Sequence, residues 1–268
     1  MLSAARKQRI KELILERKSA TVAELVKMFN VTDETIRRDL SCLEKEGVLL
    51  RSYGGAFIQT GVENQIDSNI RSTVYVDNKT LIAQKCKKII HNGDVVFLDN
   101  STTAYFVAKQ VQHMRLTIVT NSLSITNLLG KFENIRLIVV GGFYSPKEQA
   151  FYGSSAQDAI EKYYVDKAFL SCRSLSIENG ITDSYDQWAQ VRKTIIERSK
   201  ERYLLADFSK FNQTSFMRVC GFEKINAIIT DKPLGPEWHT AMRKYGCRVL
   251  DGVDDGTETS PSDDEKKR

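Results

Sequence analysis

The sequence of 268 residues has no long hydrophobic run, and its longest apolar stretches are as short as LIVVGG and VVFLD. A helix that crosses a bilayer needs about 18 or more consecutive apolar residues, so the pattern excludes a membrane-spanning protein. The first residues, MLSAARKQRIKELI, also lack the apolar core of a secretory signal peptide. We therefore expect a cytoplasmic protein without a membrane partner.

Cysteine is scarce and has no organised spacing. The chain has five cysteines, an odd number, and none forms a C-x-x-C pair. This spacing excludes a disulfide framework and a cysteine zinc site, and it is typical of reduced thiols. We expect neither a metal nor a cofactor.

The chain also lacks a strong excess of charge of one sign. Its 39 Lys and Arg oppose 34 Asp and Glu, which gives a net charge of +5. An excess this small permits nucleic-acid binding without indicating it. Residues 254–268, DDGTETSPSDDEKKR, contain no apolar side chain. We expect this segment to be a disordered acidic tail, because it has nothing to bury.

Residues 1–57 have the helical pattern of a helix-turn-helix domain. Apolar residues at helical spacing predict a first helix over residues 2–17. Thr21 and Glu24 form a capping box that begins a second helix, and Thr32 caps a third helix. In this motif the first residues of the third helix contact base edges in the major groove. The stretch VLLRSYGGAF then predicts a wing hairpin.

Hydroxyl and guanidinium groups cluster at the start of the third helix. Arg37 and Arg38 can form bidentate hydrogen bonds with guanine or phosphate oxygens. We interpret Asp39 as structural and able to orient an arginine through an ion pair. On helix spacing alone, a protein-docking domain with solvated arginines is the alternative. The expected DNA contacts are Thr32, Thr35, Arg37, Arg38, Lys45 and Arg51.

Two spaced motifs in this segment resemble those of one family. The pattern R-x3-I-x3-I begins at Arg6, and 17 residues after it T-x2-T-I-R-R-D-L begins at Thr32. Together they are similar to the signature of the DeoR family of bacterial transcriptional regulators. The later residues EGV and RSYGGA resemble the same family. The resemblance implies that residues 1–57 are a winged helix-turn-helix domain that binds DNA.

Residues 75–253 alternate between strand and helix patterns, after a polar segment, residues 58–74, that we interpret as a linker. Helical periodicity resumes near Asn78, with Leu81, Ile82 and Cys86 on one side. Alternating helices and apolar β-branched runs predict an α/β domain with a mostly parallel sheet between helices. The expected strands are Val95–Leu98, Leu116–Val119, Ile135–Val140, Ala168–Leu170, Tyr203–Ala206 and Ala227–Ile229.

Small, polar or charged residues follow each of these six strands. Ligands of open α/β sheets bind outside the carboxyl ends of the strands. Hydroxyl side chains and backbone N–H groups at helix N-termini there bind anions. Each Ser or Thr taken alone is most often a simple N-cap. The joint pattern at six strand ends predicts a small anionic ligand.

The resemblance to the DeoR family extends to about residue 251 and implies roles for these residues. The second domain of that family is similar to the fold of ribose-5-phosphate isomerase, glucosamine-6-phosphate deaminase and CoA transferases. The likeness implies that Ser101, Thr102 and Thr103 form a phosphate loop. Asn100 and Arg173 differ from the glycine or glycine-containing turn of many members, and Arg173 is able to add a charged contact. The other expected effector residues are Asp99, Asn121, Gly141, Gly142, Asp183, Lys193, Asp207 and Lys210.

Histidine is rare, and the sequence shows no catalytic constellation. Isomerisation or deamination needs an acid and a base beside the substrate. None of the three histidines follows a predicted strand, and we interpret Cys172 as a buried small side chain. We expect no catalytic residues and no enzyme, with an isomerase or deaminase that carries a DNA-binding head as the alternative.

These patterns and the resemblance lead to one functional expectation. The protein is expected to be a cytoplasmic repressor of a sugar or polyol catabolism operon, released by a phosphorylated sugar or polyol. A homo-oligomer, either a dimer or a tetramer, is expected to place recognition helices in successive major grooves of operator DNA.

Overall fold

The computed structural model describes residues 2–17, 19–46, 48–52, 54–58 and 68–252. The acidic tail over residues 254–268 and most of the linker expected over residues 58–74 lie outside these ranges. Within them, no helix is long and apolar enough to cross a membrane. The same ranges contain no group of three His, Cys, Asp or Glu side chains placed to hold a metal ion.

Residues 2–58 fold into three helices and a small antiparallel sheet. The predicted capping box is present, since Thr21 Oγ1 accepts from Glu24 N at 3.1 Å and Thr21 N donates to Glu24 Oε2 at 2.8 Å. The sheet has the order β1-β3-β2. A Cβ on Gly55 of β3 would lie 2.3 Å from the carbonyl oxygen of Ala20 on β1, so this close approach requires glycine. The elements are α1 (Ser3–Arg17), β1 (Ser19–Thr21), α2 (Val22–Phe29), α3 (Asp33–Lys45), β2 (Leu50–Ser52) and β3 (Gly55–Phe57).

A buried ion pair joins the first and third helices. Ile10 of α1 and Ile36 of α3 are fully buried in a common core. At its edge Arg6 Nε donates to Asp39 Oδ2 at 2.6 Å, and both side chains are almost completely buried. Asp39 therefore holds an arginine of α1, 33 residues away, and not one of its neighbours on α3.

Residues 75–252 contain a seven-stranded parallel sheet, as the sequence predicts. Its strand order is β15-β14-β12-β9-β4-β5-β6, so the order reverses between β4 and β9. The last strand, β15, was not among the six predicted strands. The strands are β4 (Val95–Leu98), β5 (Leu116–Thr120), β6 (Ile135–Val139), β9 (Val165–Ser171), β12 (Ser199–Leu205), β14 (Ala227–Ile229) and β15 (Arg248–Leu250).

Helices cover both faces of this sheet and form two separate apolar layers. Successive residues of β4 show the division, since Val96 and Leu98 join one layer and Phe97 joins the other. The first layer contains α5 (Val76–Ile89), α6 (Thr102–Val111) and α7 (Leu123–Leu129), and the second contains α8 (Ser154–Glu161), α9 (Asp186–Glu197) and α10 (Pro236–Lys244).

Three further features surround the carboxyl ends of the parallel strands. Helix α4 (Ser68–Thr73) lies within the segment that the sequence suggested was a linker. A hairpin is formed by β7 (Phe143–Ser145) and β8 (Ala150–Tyr152). A three-stranded sheet of order β10-β11-β13 contains β10 (Ser174–Ser176), β11 (Gly180–Asp183) and β13 (Met217–Cys220).

Candidate functional site

A polar cavity lies at the point where the strand order reverses. It is bounded by the residues that follow β4, β9 and β12, together with α4, the start of α5 and one side of α9. This is the position at which open α/β sheets bind ligands. We call it the anion cavity; its charged and hydroxyl lining includes Arg71, Lys79, Ser101, Thr102, Thr103, Glu148, Arg173, Asp183, Arg192, Asp207, Ser209 and Lys210.

The N-terminus of α6 contributes backbone donors to the anion cavity. Ser101 is the N-cap, and its Oγ accepts from the backbone N of Ala104 at 3.0 Å. Asp99 Oδ1 accepts from Ser101 N at 2.9 Å and fixes the turn after β4. Within the described residues, the N–H groups of Thr102 and Thr103 have no protein acceptor. Such N–H groups carry the positive end of the helix dipole and favour an anion.

A buried arginine holds two carboxylates under the cavity. Arg192 of α9 donates to Asp183 Oδ2 at 2.5 Å and approaches Asp99 Oδ2 at 3.2 Å. Burial acts to lower the pKa of Arg192, but these two carboxylates raise it above its ordinary value. Asp99 Oδ2 also accepts from Ser171 N at 2.9 Å, which links the ends of β4 and β9. The group therefore fixes the floor of the site.

Two cations of the cavity lining, Lys79 and Arg71, are bound to groups of the chain itself. Lys79 of α5 is buried, and its Nζ donates to the carbonyl oxygens of Val74, at 2.6 Å, and Arg71. Burial lowers the pKa of Lys79 to about 7, partly offset by the charge of Asp207. Arg71 of α4 pairs with Glu148, which precedes β8.

Two other cations face the cavity without such partners. No described residue accepts a hydrogen bond from the side chain of Arg173 or Lys210 or forms an ion pair with it. Burial lowers the pKa of Arg173 to about 10, and the nearby Arg71 contributes. Burial and the charge of Arg173 also lower the pKa of Lys210, against the opposing effect of Asp207. These two groups can bind an anion without first breaking a contact.

The structure brings most of the expected effector residues together, but not all of them. Eight line the anion cavity: Asn100, Ser101, Thr102, Thr103, Arg173, Asp183, Asp207 and Lys210. Asp99 lies beneath them as a positioning group. The remaining four, Asn121, Gly141, Gly142 and Lys193, lie outside the lining.

The local structure explains why these four residues do not line the cavity. Asn121 is buried and donates to the carbonyl oxygen of Phe151 at 2.9 Å, so its side chain holds the β7–β8 hairpin. Gly141 and Gly142 form the exposed turn into β7. Lys193 follows the cavity residue Arg192 on α9, and consecutive helical side chains point in different directions.

Cys172 lines the cavity, but its chemistry is that of an inert thiol. The side chain is buried, and burial raises the pKa of the thiol to about 12. A nucleophilic cysteine needs a depressed pKa, which this position does not provide. The interpretation of Cys172 as a buried small side chain agrees with this environment.

The expected DNA contacts lie at exposed or partly exposed positions of the N-terminal domain. Thr32 caps α3 by accepting from Thr35 N at 3.3 Å, and its hydroxyl lies 2.9 Å from that of Thr35. Arg37 pairs with Asp33 one turn earlier. Arg38 and Lys45 are exposed. Arg51 of β2 is 3.8 Å from a carboxylate oxygen of Glu44.

Comparisons with known protein families match both parts of the chain. The DeoR-like helix-turn-helix domain matches residues 6–61, and the DeoR C terminal sensor domain matches residues 75–232. The uncharacterized HTH-type transcriptional regulator YulB of Bacillus subtilis is 40% identical over 249 residues, which cover 93% of this chain and 96% of that protein. The HTH-type transcriptional repressor GlcR of the same organism is 31% identical over 242 residues, 90% of this chain and 93% of that protein.

Solved structures share a more distant likeness. Ribose 5-phosphate isomerase A from Methanocaldococcus jannaschii is similar over 51% of this chain and 54% of that chain, with a TM-score of 0.38 and 17% identity. The relatives that match nearly the whole chain are transcriptional regulators, not enzymes. The chain belongs to the DeoR family of DNA-binding transcriptional regulators.

Proposed function

We propose that this DeoR-family regulator represses a sugar or polyol catabolism operon in the cytoplasm, and that a phosphorylated sugar or polyol in the anion cavity weakens its hold on DNA. The observation that carries the proposal is the juxtaposition, in one cavity, of the α6 N-terminus with Arg173 and Lys210. A phosphate accepts hydrogen bonds from backbone N–H groups and from cations. Asp183 and Asp207 supply acceptors for the hydroxyl groups of the ligand.

The sequence similarity to GlcR, a repressor, supports repression as the sign of regulation. The recognition surface is the start of α3, where Thr35 and Arg38 contact bases or phosphates and Lys45 and Arg51 contact the backbone. A homo-oligomer places two such helices ~34–36 Å apart, in successive major grooves. Pairing is required because a modestly basic domain gains little affinity from charge alone.

A thermal-shift screen tests the effector assignment. The panel contains hexose 1-phosphates, hexose 6-phosphates, pentose 5-phosphates and polyol phosphates, each against its unphosphorylated parent. We expect at least one phosphate to raise the melting temperature, because a ligand that binds only the folded state stabilises it. Thr102→Glu places a carboxylate at the α6 N-terminus and should abolish the shift. Ser124→Glu adds the same charge to the first turn of α7, outside the cavity lining, and should preserve the shift.

The DNA assignment is tested with a duplex that the wild-type protein selects from a random-sequence pool. Arg38→Ala should weaken binding in an anisotropy titration by roughly tenfold or more, the value of one good base or phosphate contact. Lys88→Ala removes the same charge from an exposed position of α5 and should leave affinity unchanged. Equal losses in both variants, or affinity independent of salt, would contradict the assignment of α3 as the recognition helix.

A further inference from the structure

Three contacts hold helix α4 against the wall of the anion cavity. Its first residue, Ser68, donates its backbone N–H to the carbonyl oxygen of Lys147 at 2.9 Å. Arg71, in the middle of the helix, pairs with Glu148 across 77 positions of sequence. Lys79 of α5 donates to the carbonyl oxygen of Arg71. Thus α4 is held against the turn of the β7–β8 hairpin and the wall of the cavity.

The winged domain reaches the same cavity on its other side. Phe57 is the last residue of β3 and pairs in the sheet with Ser19 of β1 and Leu50 of β2. Its ring is buried in a small cluster with Val74, and both residues line the anion cavity. A change in the position of Val74 therefore alters packing against the winged sheet directly.

The connection between α4 and α5 is strained. Tyr75 separates the two helices and has φ of +54°, a left-handed conformation that side chains other than glycine and asparagine rarely adopt. Its ring packs edge-on against Phe208, with the ring centroids 4.9 Å apart. Strain of this kind costs on the order of 1 kcal/mol or more and persists only where surrounding contacts hold it. The conformation of Tyr75 is thus held by its surroundings, which include α4.

An anion in the cavity is placed beside both members of the Arg71–Glu148 pair, since both side chains line it. The anion attracts the guanidinium and repels the carboxylate, and both side chains are largely buried, where such interactions are screened less than in water. We propose that Arg71 is an effector-binding residue that exchanges Glu148 for the anionic group of the ligand, and that the movement of α4 transmits this exchange to the winged domain. The inference rests on the proposed function of the cavity and adds the residue that couples it to DNA.

The experiment compares Arg71→Gln, Glu148→Gln and the control Asp94→Asn in the full chain. Asp94 pairs with Lys167 at 2.6 Å, with similar burial, before the amino end of β4. Calorimetry measures the affinity for inorganic phosphate at fixed ionic strength. Anisotropy measures the ratio of the dissociation constants for the selected duplex with and without the panel compound that stabilises the wild type.

Arg71→Gln should weaken phosphate binding by roughly tenfold and reduce the ratio of duplex constants to below about twofold. Glu148→Gln should tighten phosphate binding, because the competing carboxylate is gone. A merely structural ion pair would make this second variant weaker, not tighter. Asp94→Asn should match the wild type in both measurements.

The possible failures are distinguishable. If the wild type binds neither phosphate nor any panel compound, the proposed function of the cavity fails and this inference fails with it. If the wild type binds and responds, but Arg71→Gln keeps the wild-type ratio or Glu148→Gln binds phosphate less tightly, the role of α4 is overturned while the cavity assignment stands.

Discussion

Replacement of Lys79 by methionine measures how a cation buried in the wall of the anion cavity changes the free energy of unfolding. Lysine has an ordinary pKa of 10.5, and burial lowers the value for Lys79 to about 7 in the folded protein. Between these two values the unfolded chain binds more protons than the folded chain at this position. The contribution of Lys79 to the stability of the wild type must therefore rise with pH in this window, and Lys79→Met removes that contribution.

The size of the effect follows from the two pKa values. Integration of the proton difference from pH ~7 to pH ~9 gives about 2 kcal/mol of added wild-type stability. Methionine has a similar length and no charge, so the variant gains nothing over the same interval. Loss of the hydrogen bonds to the carbonyl oxygens of Arg71 and Val74 adds a cost of about 1–3 kcal/mol. The pH dependence of the difference is thus the diagnostic quantity.

Denaturant unfolding, followed by the fluorescence of Trp188 and Trp238, measures both proteins in the ligand-free state at several pH values. The groups that face Lys79, namely Asp207, Lys210 and Arg71, are present in both proteins. We expect the stability of the variant relative to the wild type to fall by about 2 kcal/mol from pH ~7 to pH ~9. A difference that does not change with pH would refute the inference that Lys79 is destabilised by burial.

Three further predictions concern other parts of the molecule. Asp39→Asn leaves the buried charge of Arg6 without its counter-ion and should destabilise the N-terminal domain by about 3 kcal/mol in thermal unfolding. Gly55→Ala forces apart two strands of the winged sheet, so we expect a loss of roughly 2 kcal/mol or more, with a matching loss of DNA binding in a gel-shift titration. Trp188 lines the anion cavity, whereas Trp238 is buried outside the lining. An effector should therefore change the fluorescence of a Trp238→Phe variant but not of a Trp188→Phe variant.

Local signals explain why the N-terminal domain was predicted from sequence in detail. The capping residues Thr21 and Thr32 accept from backbone N–H groups three residues further along the chain. The start of each helix can therefore be predicted from adjacent residues of the sequence. The partner of Asp39 was not predictable in the same way. Arg6 meets it only because α1 and α3 pack together, and that contact depends on the tertiary fold.

The same distinction divides the residues of the anion cavity. Thr102 begins the helix that follows β4, and Asp207 lies in the loop after β12. The ends of parallel strands must meet at one edge of the sheet. Arg71 and Glu148 do not follow parallel strands, so no comparable rule predicts from sequence that they line the cavity. Lys79 did leave a usable signal, which was missed.

On α5, Lys79 shares the buried face with Ile82, Ala83 and Cys86, at the spacing i, i+3, i+4 and i+7. Leu81, which the sequence analysis placed on that face, is 47% exposed. A lysine on the apolar face of a helix is rarely buried unless the fold supplies hydrogen-bond or ion-pair partners for it. Its presence there therefore indicates a polar binding site. Arg192 has the same property on α9, where it lies among buried residues.

The buried charges of the cavity oppose folding, and this opposition is what makes the site sensitive to an anion. Arg192 is compensated by two carboxylates, whereas Arg173 and Lys210 lack carboxylate partners among the described residues and have lowered pKa values. An anion placed among these groups favours their charged forms and raises the pKa of each cation, including that of Lys79. We therefore expect ligand binding to be accompanied by proton uptake near pH ~8, because a nearby anion shifts Lys79 towards its charged form. A protonated Lys79 is also the form that donates most strongly to the carbonyl oxygens of Arg71 and Val74. An anion in the cavity therefore strengthens hydrogen bonds to the backbone of α4 and of the residue after it, although the anion itself does not contact DNA.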